Sequence, residues 1–82
     1  MKLSIYSIKQ TILETAVEKV TLLTEQGQIT VLDHHLPLIT LVKPGRISYY
    51  TSQNQWQHIV FSGGIAEIRP GNEVVLLSHT GV

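Results

Sequence analysis

The sequence lacks cysteine, an excess of charge of either sign and any long hydrophobic run. Without cysteine, the chain can form neither a disulfide framework nor a thiolate metal site. Six basic residues balance six acidic ones, so the net charge of zero provides no long-range field that would attract a polyanion. We therefore expect no nucleic-acid partner. Because no apolar stretch approaches the roughly 18 residues of a spanning helix, we also expect no membrane span.

Motifs for catalysis and for ligand binding are missing as well. Ser62-Gly63-Gly64 lacks the Gly-x-Ser-x-Gly frame of a nucleophile, and the sequence contains no phosphate loop or dinucleotide fingerprint. The carboxylates of Asp33, Glu67 and Glu73 are isolated in sequence, so their spacing supports no acid and base pair. His34-His35 resembles a metal-ligand pair, but neighbours on a strand face opposite ways and no third ligand follows at suitable spacing. We expect no enzyme, cofactor, metal site or small-molecule ligand.

Alternation of apolar and polar residues is the dominant pattern that is present, with turn residues every eight to ten positions. Such a rhythm is typical of an all-β domain, and 82 residues suffice for one domain, which we expect to span residues 1–82. Predicted strands cover residues 2–6, 17–22, 28–32, 46–51, 55–61, 64–69 and 73–79.

Two hairpins follow from the turn chemistry between these strands. The first turns at Ser52-Gln53-Asn54, where Tyr50 and Trp56 could pair across the two strands. The second turns at Pro70-Gly71-Asn72, because proline presets φ and glycine accepts a positive φ.

The segment from Ser7 to Val20 fits two structures. Ser7-Ile8-Lys9-Gln10 matches a capping box, and Ile12, Ala16 and Val20 recur at helical spacing. A helix over about residues 8–20 is therefore as compatible with the residues as further strands are.

Three blocks of sequence resemble the epsilon subunit of rotary F-type ATP synthases, which is called delta in mitochondria. They are residues 27–32 (GQITVL), 35–45 (HLPLITLVKPG) and 62–68 (SGGIAEI). Their order and spacing are closely similar to the family's, and the resemblance covers nearly the whole chain. Departures occur at Asp33-His34, where the family has proline and glycine, and at Thr30, where glycine is common.

The resemblance implies an all-β fold, a β-sandwich of about ten short strands. It replaces the helix by a turn at residues 7–10, a strand at 11–14 and a tight reversal near Thr15-Ala16. The family usually continues into a C-terminal α-helical hairpin, whereas this sequence stops at Gly81-Val82. We therefore expect the chain to lack the hairpin and not to inhibit ATP hydrolysis through it.

The implied function is that of a non-catalytic rotor subunit in the central stalk, which couples the c-ring to the gamma subunit during proton-driven ATP synthesis. The chain would then be peripheral to the membrane through the c-ring. Its implied location is the cytoplasmic face of a bacterial plasma membrane.

The resemblance also implies which residues contact gamma and the c-ring. The loop Glu25-Gln26-Gly27-Gln28 corresponds to the one that touches the c-ring, although relatives often carry acidic residues at the second and fourth positions. His35, Leu36, Pro37 and Leu38 correspond to a turn that meets gamma and the c-ring. Ile12 and Leu13 would complete the surface, and as neighbours on a strand they should face opposite sides, one buried and one outward.

Two other functions remain open at this point. Tyr49, Tyr50 and Trp56 could offer aromatic faces to a carbohydrate or a protein in a freestanding binding module. The chain could also be an assembly domain of another complex, because a fold alone does not fix a function. Co-purification with gamma and c subunits would discriminate between these hypotheses.

Overall fold

A computed structural model describes residues 1–79 and shows eight β-strands within them. The strands are β1 (Lys2–Tyr6), β2 (Thr11–Thr24), β3 (Gly27–Leu32), β4 (Leu38–Val42), β5 (Gly45–Thr51), β6 (Trp56–Phe61), β7 (Gly64–Arg69) and β8 (Glu73–Ser78). The all-β prediction is confirmed, with eight strands over these residues instead of about ten. Residues 1–79 include no helix that is long and apolar enough to cross a membrane. The expectation that no helical hairpin follows Gly81-Val82 concerns a part of the sequence that lies outside the described residues.

β2 is one strand of 14 residues where two separate strands were predicted. Its first half pairs with β1, from Tyr6 opposite Thr11 to Lys2 opposite Ala16. From Val17 onward it pairs instead with β5 and β3. The predicted reversal near Thr15-Ala16 and the alternative helix are therefore both wrong. The helical spacing is overridden because neighbouring strands satisfy the backbone of β2 along its whole length.

The turn predicted at residues 7–10 is confirmed. The hydroxyl oxygen of Ser7 accepts hydrogen bonds from the backbone N–H groups of Lys9, at 3.2 Å, and Gln10, at 3.1 Å. A serine that binds the backbone two and three residues later is the feature that suggested a helix cap. Here the same bonds close a turn, since Ser7 N–H also donates to the carbonyl of Gln10 and sends the chain back into β2.

The strands form two sheets that share β2. Sheet 1 has the order β4-β7-β8-β1-β2, and sheet 2 has the order β3-β2-β5-β6. All pairs are antiparallel except that of β1 with β8. Both predicted hairpins, β5 with β6 and β7 with β8, are confirmed. At one end, Lys43 N–H donates to the Leu23 carbonyl at 2.8 Å and joins the end of β4 to β2.

The hydrophobic core lies between the inward faces of the two sheets. Leu3 and Ile5 of β1 and Val20 and Leu22 of β2 are fully buried, as their alternation predicted. The other buried hydrophobic side chains are Val17, Val31, Val42, Ile47, Tyr49, Phe61, Ala66, Ile68, Val74 and Leu76. With this core between the sheets, every outward-facing side chain belongs to one of two outer faces.

Candidate functional site

The predicted c-ring loop is a tight turn between β2 and β3. The buried hydroxyl of Thr24 donates to the carbonyl of Gly27 at 2.9 Å and accepts from the N–H of Gln26 at 3.2 Å. Gly27 has a φ of 106°, a backbone conformation that residues with a Cβ rarely adopt. Glu25, Gln26 and Gln28 are exposed. The turn therefore presents polar side chains to solvent from a hydrogen-bonded backbone.

Residues 35–38 lie at the surface before and at the start of β4. His35, Leu36, Pro37 and Leu38 are all exposed, and His35 Nδ1 lies 2.7 Å from the carbonyl oxygen of Leu36. The segment is anchored on its N-terminal side, where the backbone N–H of His34 donates to the side-chain oxygen of Asn72. The predicted partner segment thus rests against the turn between β7 and β8.

Ile12 and Leu13 depart from the predicted arrangement. Leu13 lies opposite Ile5, whereas Tyr6 lies opposite Thr11, so Ile12 is the extra residue of a β-bulge. Both side chains are half-buried and both pack against the core. The expectation that one is buried and the other faces out is wrong, because a bulge breaks the alternation of side chains and redirects the extra one.

The predicted partner residues do not form one patch. β2 and β4 are opposite edges of sheet 1, so Ile12 and Leu13 lie four strand spacings from residues 35–38 along the sheet, or about 19 Å. The 25–28 turn and the 35–38 segment lie at opposite ends of β4, about 16 Å apart along the strand. The sequence prediction therefore names three separate places on the surface.

An apolar surface lies between the last two of these places. We call the outward side chains of Ile39, Leu41, Ile65 and Leu77 the apolar face. Leu41 lies opposite Ile65, which lies opposite Leu77, so the three are direct cross-strand neighbours on β4, β7 and β8. Their exposed fractions are 63%, 44% and 47%, and that of Ile39 is 71%. A continuous exposed apolar surface of this kind is typical of a partner interface.

A sequence signal for the apolar face does exist. The strands LITLV and EVVLLS are apolar on both of their faces instead of alternating with polar residues. An antiparallel strand with one solvated face normally alternates, so an unbroken apolar run predicts that both faces are covered. An open depression of about 380 Å³ beside Leu41 and Ile65 also reaches Glu25, which connects the apolar face to the 25–28 turn.

Two of the three carboxylates considered for catalysis have ionic partners. Glu67 accepts from Arg69, with Nη2 at 2.9 Å, and Asp33 lies 3.4 Å from the amino group of Met1. Within residues 1–79, no three side chains of His, Cys, Asp or Glu lie close enough together to hold a metal ion.

The aromatic residues do not form the three-ring platform considered for a binding module. Tyr49 is buried in the core. Tyr50 and Trp56 pair across the hairpin, with ring centroids 5.2 Å apart in an edge-to-face arrangement, which confirms the predicted contact. The ammonium of Lys19 lies 5.0 Å from the first ring and 5.5 Å from the second.

Comparisons with known proteins agree with this fold. A central-stalk and c-ring structure of the mitochondrial ATP synthase of Tetrahymena thermophila contains a chain that matches with a TM-score of 0.80 at 12% identity, covering 96% of this chain and 63% of that one. A chain in the mitochondrial ATP synthase of Euglena gracilis, in a structure of OSCP, F1 and the c-ring, matches with a TM-score of 0.82 at 23% identity, covering 93% and 48%. This chain thus spans about half to two thirds of those chains.

Sequence comparison identifies the family independently of these structures. The family model for the β-sandwich domain of the ATP synthase delta/epsilon chain matches residues 1–81, nearly the whole sequence. The resemblance inferred from the three sequence blocks is confirmed, and this chain belongs to the family of ATP synthase delta/epsilon chains through their β-sandwich domain.

Proposed function

We propose that the chain is a non-catalytic subunit of the central stalk of a rotary ATP synthase, where it couples the c-ring to the gamma subunit during proton-driven synthesis. Its family and its structural neighbours support this assignment. The observation that carries it is the apolar face, a row of exposed cross-strand hydrophobic side chains. Such a surface is stabilised by a permanent protein neighbour.

The docking surface in this proposal consists of the apolar face and the two segments at its ends. The 25–28 turn contacts the polar loops of the c-ring, and residues 35–38 contact gamma. Amides at Gln26 and Gln28 form hydrogen bonds without a net charge, so the c-ring contact depends only weakly on ionic strength. Contacts of Ile12 and Leu13 with a partner stay a prediction, because both side chains already pack against the core.

Two linked attachments explain how a small domain can stay in a rotating assembly. Once the chain is bound to one partner, its second contact forms at high effective concentration, so each contact can be weak by itself. In this proposal the domain is peripheral to the membrane through the c-ring, on the cytoplasmic face of a bacterial plasma membrane.

The proposal is tested with one apolar-to-acidic substitution on each outer face. Leu41→Asp places a carboxylate in the apolar face, and Val60→Asp makes the same kind of change at a side chain of sheet 2 that is 81% exposed. Binding to a purified complex of gamma and the c-ring is measured by surface plasmon resonance, and folding by circular dichroism. We expect Leu41→Asp to weaken binding by about 100-fold, as for a central interface residue, and Val60→Asp to leave it unchanged. Equal affinities of Leu41→Asp and the parent chain, with both folded, would contradict the proposal.

A further inference from the structure

The outer face of sheet 2 has a different composition from that of sheet 1. Cross-strand neighbours on it include Lys19 with Tyr50 and Tyr50 with Trp56, Thr21 with Ser48 and Ser48 with His58, and Arg46 with Val60. We call the side chains of Lys19, Arg46, Ser48, Trp56 and His58 the basic face. It combines two permanent cations with aromatic and hydroxyl groups.

Carboxylates are confined to the margins of this face, although the chain as a whole is neutral. None of the six acidic residues occupies a paired outward position of sheet 2. Glu14, Glu67 and Glu73 belong to sheet 1, Glu25 and Asp33 follow strand ends, and Glu18 is the extra residue of a bulge at the margin beside Lys19. The zero net charge therefore conceals a local positive region around Arg46, four residues along β5 from the partner of Lys19, and this region would attract anionic groups.

The contacts within the basic face hold some groups in place and leave others available. The ammonium of Lys19 lies over the rings of Tyr50 and Trp56, in the range of a cation–π interaction. Ser48 Oγ and His58 Nδ1 are 2.9 Å apart, so the second ring nitrogen of His58 is left for another partner. Within residues 1–79, Arg46 makes no ion pair, and its side chain is exposed.

Shape and residue type both suit a protein ligand. Arg46, Trp56 and His58 line an open depression of about 480 Å³. Arginine, tryptophan and tyrosine are the residue types that most often dominate binding energy at protein interfaces. The guanidinium of arginine also matches a carboxylate with two parallel hydrogen bonds.

We propose that the basic face docks an acidic segment of a partner protein. One carboxylate of this segment pairs with Arg46 beside His58, and an adjacent aliphatic side chain packs against Trp56. A nucleic acid fits less well, because two permanent cations neutralise few phosphates and exposed Leu23 and Val60 flank Arg46. This inference rests on sheet 2 alone and does not depend on the proposed rotor function.

The test uses two soluble synthetic peptides in an NMR titration of the full chain. The first alternates glutamate with serine around a central leucine, and the second has glutamine at each glutamate position. We expect the acidic peptide to shift the indole N–H of Trp56 and the backbone signals of Arg46 and Ser48, with an affinity about tenfold above that of the glutamine peptide. Raising the salt from about 50 to about 300 mM should weaken the acidic complex by several fold.

Matched charge reversals locate the interaction. Arg46→Glu should weaken binding of the acidic peptide by about tenfold or more. Lys9→Glu makes the same charge change at an exposed side chain of the 7–10 turn and should leave the affinity unchanged. Leu41→Asp should also leave it unchanged, which separates this inference from the rotor proposal.

Four results would overturn the inference. They are equal binding of the two peptides, no binding of either, shifts confined to the apolar face, and equal losses from Arg46→Glu and Lys9→Glu. If a DNA oligonucleotide of the same charge bound more tightly than the acidic peptide, the ligand of the basic face would be a polyanion and not an acidic protein segment. If the Trp56 signal shifted with protein concentration in the absence of peptide, the ligand of the basic face would be a second copy of the chain.

Discussion

The two outer faces of this sandwich are both formed by a β-sheet, but their side-chain chemistry differs. On sheet 2, the Thr21 and Thr30 hydroxyls lie 3.4 Å apart and Ser48 Oγ lies 2.9 Å from His58 Nδ1, so polar side chains contact one another within the face. On sheet 1, the apolar face exposes Leu41, Ile65 and Leu77 side by side. Sheet 2 offers water these polar groups, although Leu23, Leu32 and Val60 are also exposed on it, whereas the side chains of the apolar face offer no hydrogen-bonding group. In the function proposed above, the apolar face is the one that a partner covers.

The two faces also differ in whether their arginine side chains form ion pairs. Next to the apolar face, Arg69 is neutralised by Glu67, whereas Arg46 of the basic face has no carboxylate partner within residues 1–79. Binding through the apolar face should therefore depend mainly on buried area, and binding through the basic face on salt. Substitutions that change one face and spare the other can test this contrast.

The largest effect is expected at Gly64, which fixes the strand pair under the apolar face. A Cβ at Gly64 would collide with the backbone carbonyl of Leu77, so Gly64→Ala must displace β7 from β8. We expect a loss of about 3 kcal/mol in the free energy of unfolding, measured by urea denaturation.

Gly27→Ala is the matched control, because Gly27 also has a positive φ but a Cβ there meets no atom within 4 Å. Backbone strain alone should cost about 1–2 kcal/mol at that position. If the free energy of unfolding fell equally in the two variants, the close approach of β7 to β8 would not contribute to the cost of Gly64→Ala.

A second prediction compares neighbouring residues of β4 that face opposite sides. Val42 is buried, so Val42→Thr places a hydroxyl in the core and should cost about 1–2 kcal/mol. Leu41 is exposed, so Leu41→Thr should change the free energy of unfolding by less than about 0.5 kcal/mol. Urea denaturation of both variants measures the difference. A large loss from Leu41→Thr would show that the apolar face is part of the folded core and is not free to bind.

Features that depend on residues close together in sequence were predicted correctly, whereas features that depend on residues far apart in sequence were not. Alternation and turn chemistry are local, so they correctly placed Leu3 and Ile5 on one face of β1 and predicted both hairpins. The continuity of β2 and the parallel pairing of β1 with β8 depend on partners far away in sequence. No local pattern marks them, and helical spacing in the same segment pointed to a different structure.

The candidate site was predictable to a similar extent. The resemblance named the 25–28 turn and residues 35–38, both of which lie exposed at the surface. It did not reveal the apolar face, because that surface exists only when β4, β7 and β8 lie side by side. The bulge at Ile12 was also invisible, since an extra residue in a strand is defined only against its partner strand.

A third prediction concerns the aromatic pair on sheet 2. An edge-to-face pair adds about 0.5–1.5 kcal/mol beyond burial, so Tyr50→Ala and Trp56→Ala should show a coupling near 1 kcal/mol in a double-mutant cycle. Unfolding in urea gives the four free energies. Val60→Ala replaces Trp56→Ala in the control cycle and should show no coupling with Tyr50→Ala, because Val60 lies opposite Arg46. Additive losses from Tyr50→Ala and Trp56→Ala would mean that the rings contribute only their separate contacts.

The smallest effect is expected at the ion pair beside the apolar face. Arg69 donates to Glu67 through Nε and Nη2, both at 2.9 Å, but the two side chains are 46% and 41% exposed. Solvent screens such a pair, so Glu67→Gln should lower the free energy of unfolding by no more than about 0.5 kcal/mol at low salt, and by less at high salt. Arg46→Gln, which breaks no pair within residues 1–79, should leave stability unchanged at either salt concentration. A loss above about 1 kcal/mol from Glu67→Gln would mean that this outer face is organised by charge, and its contrast with the basic face would then disappear.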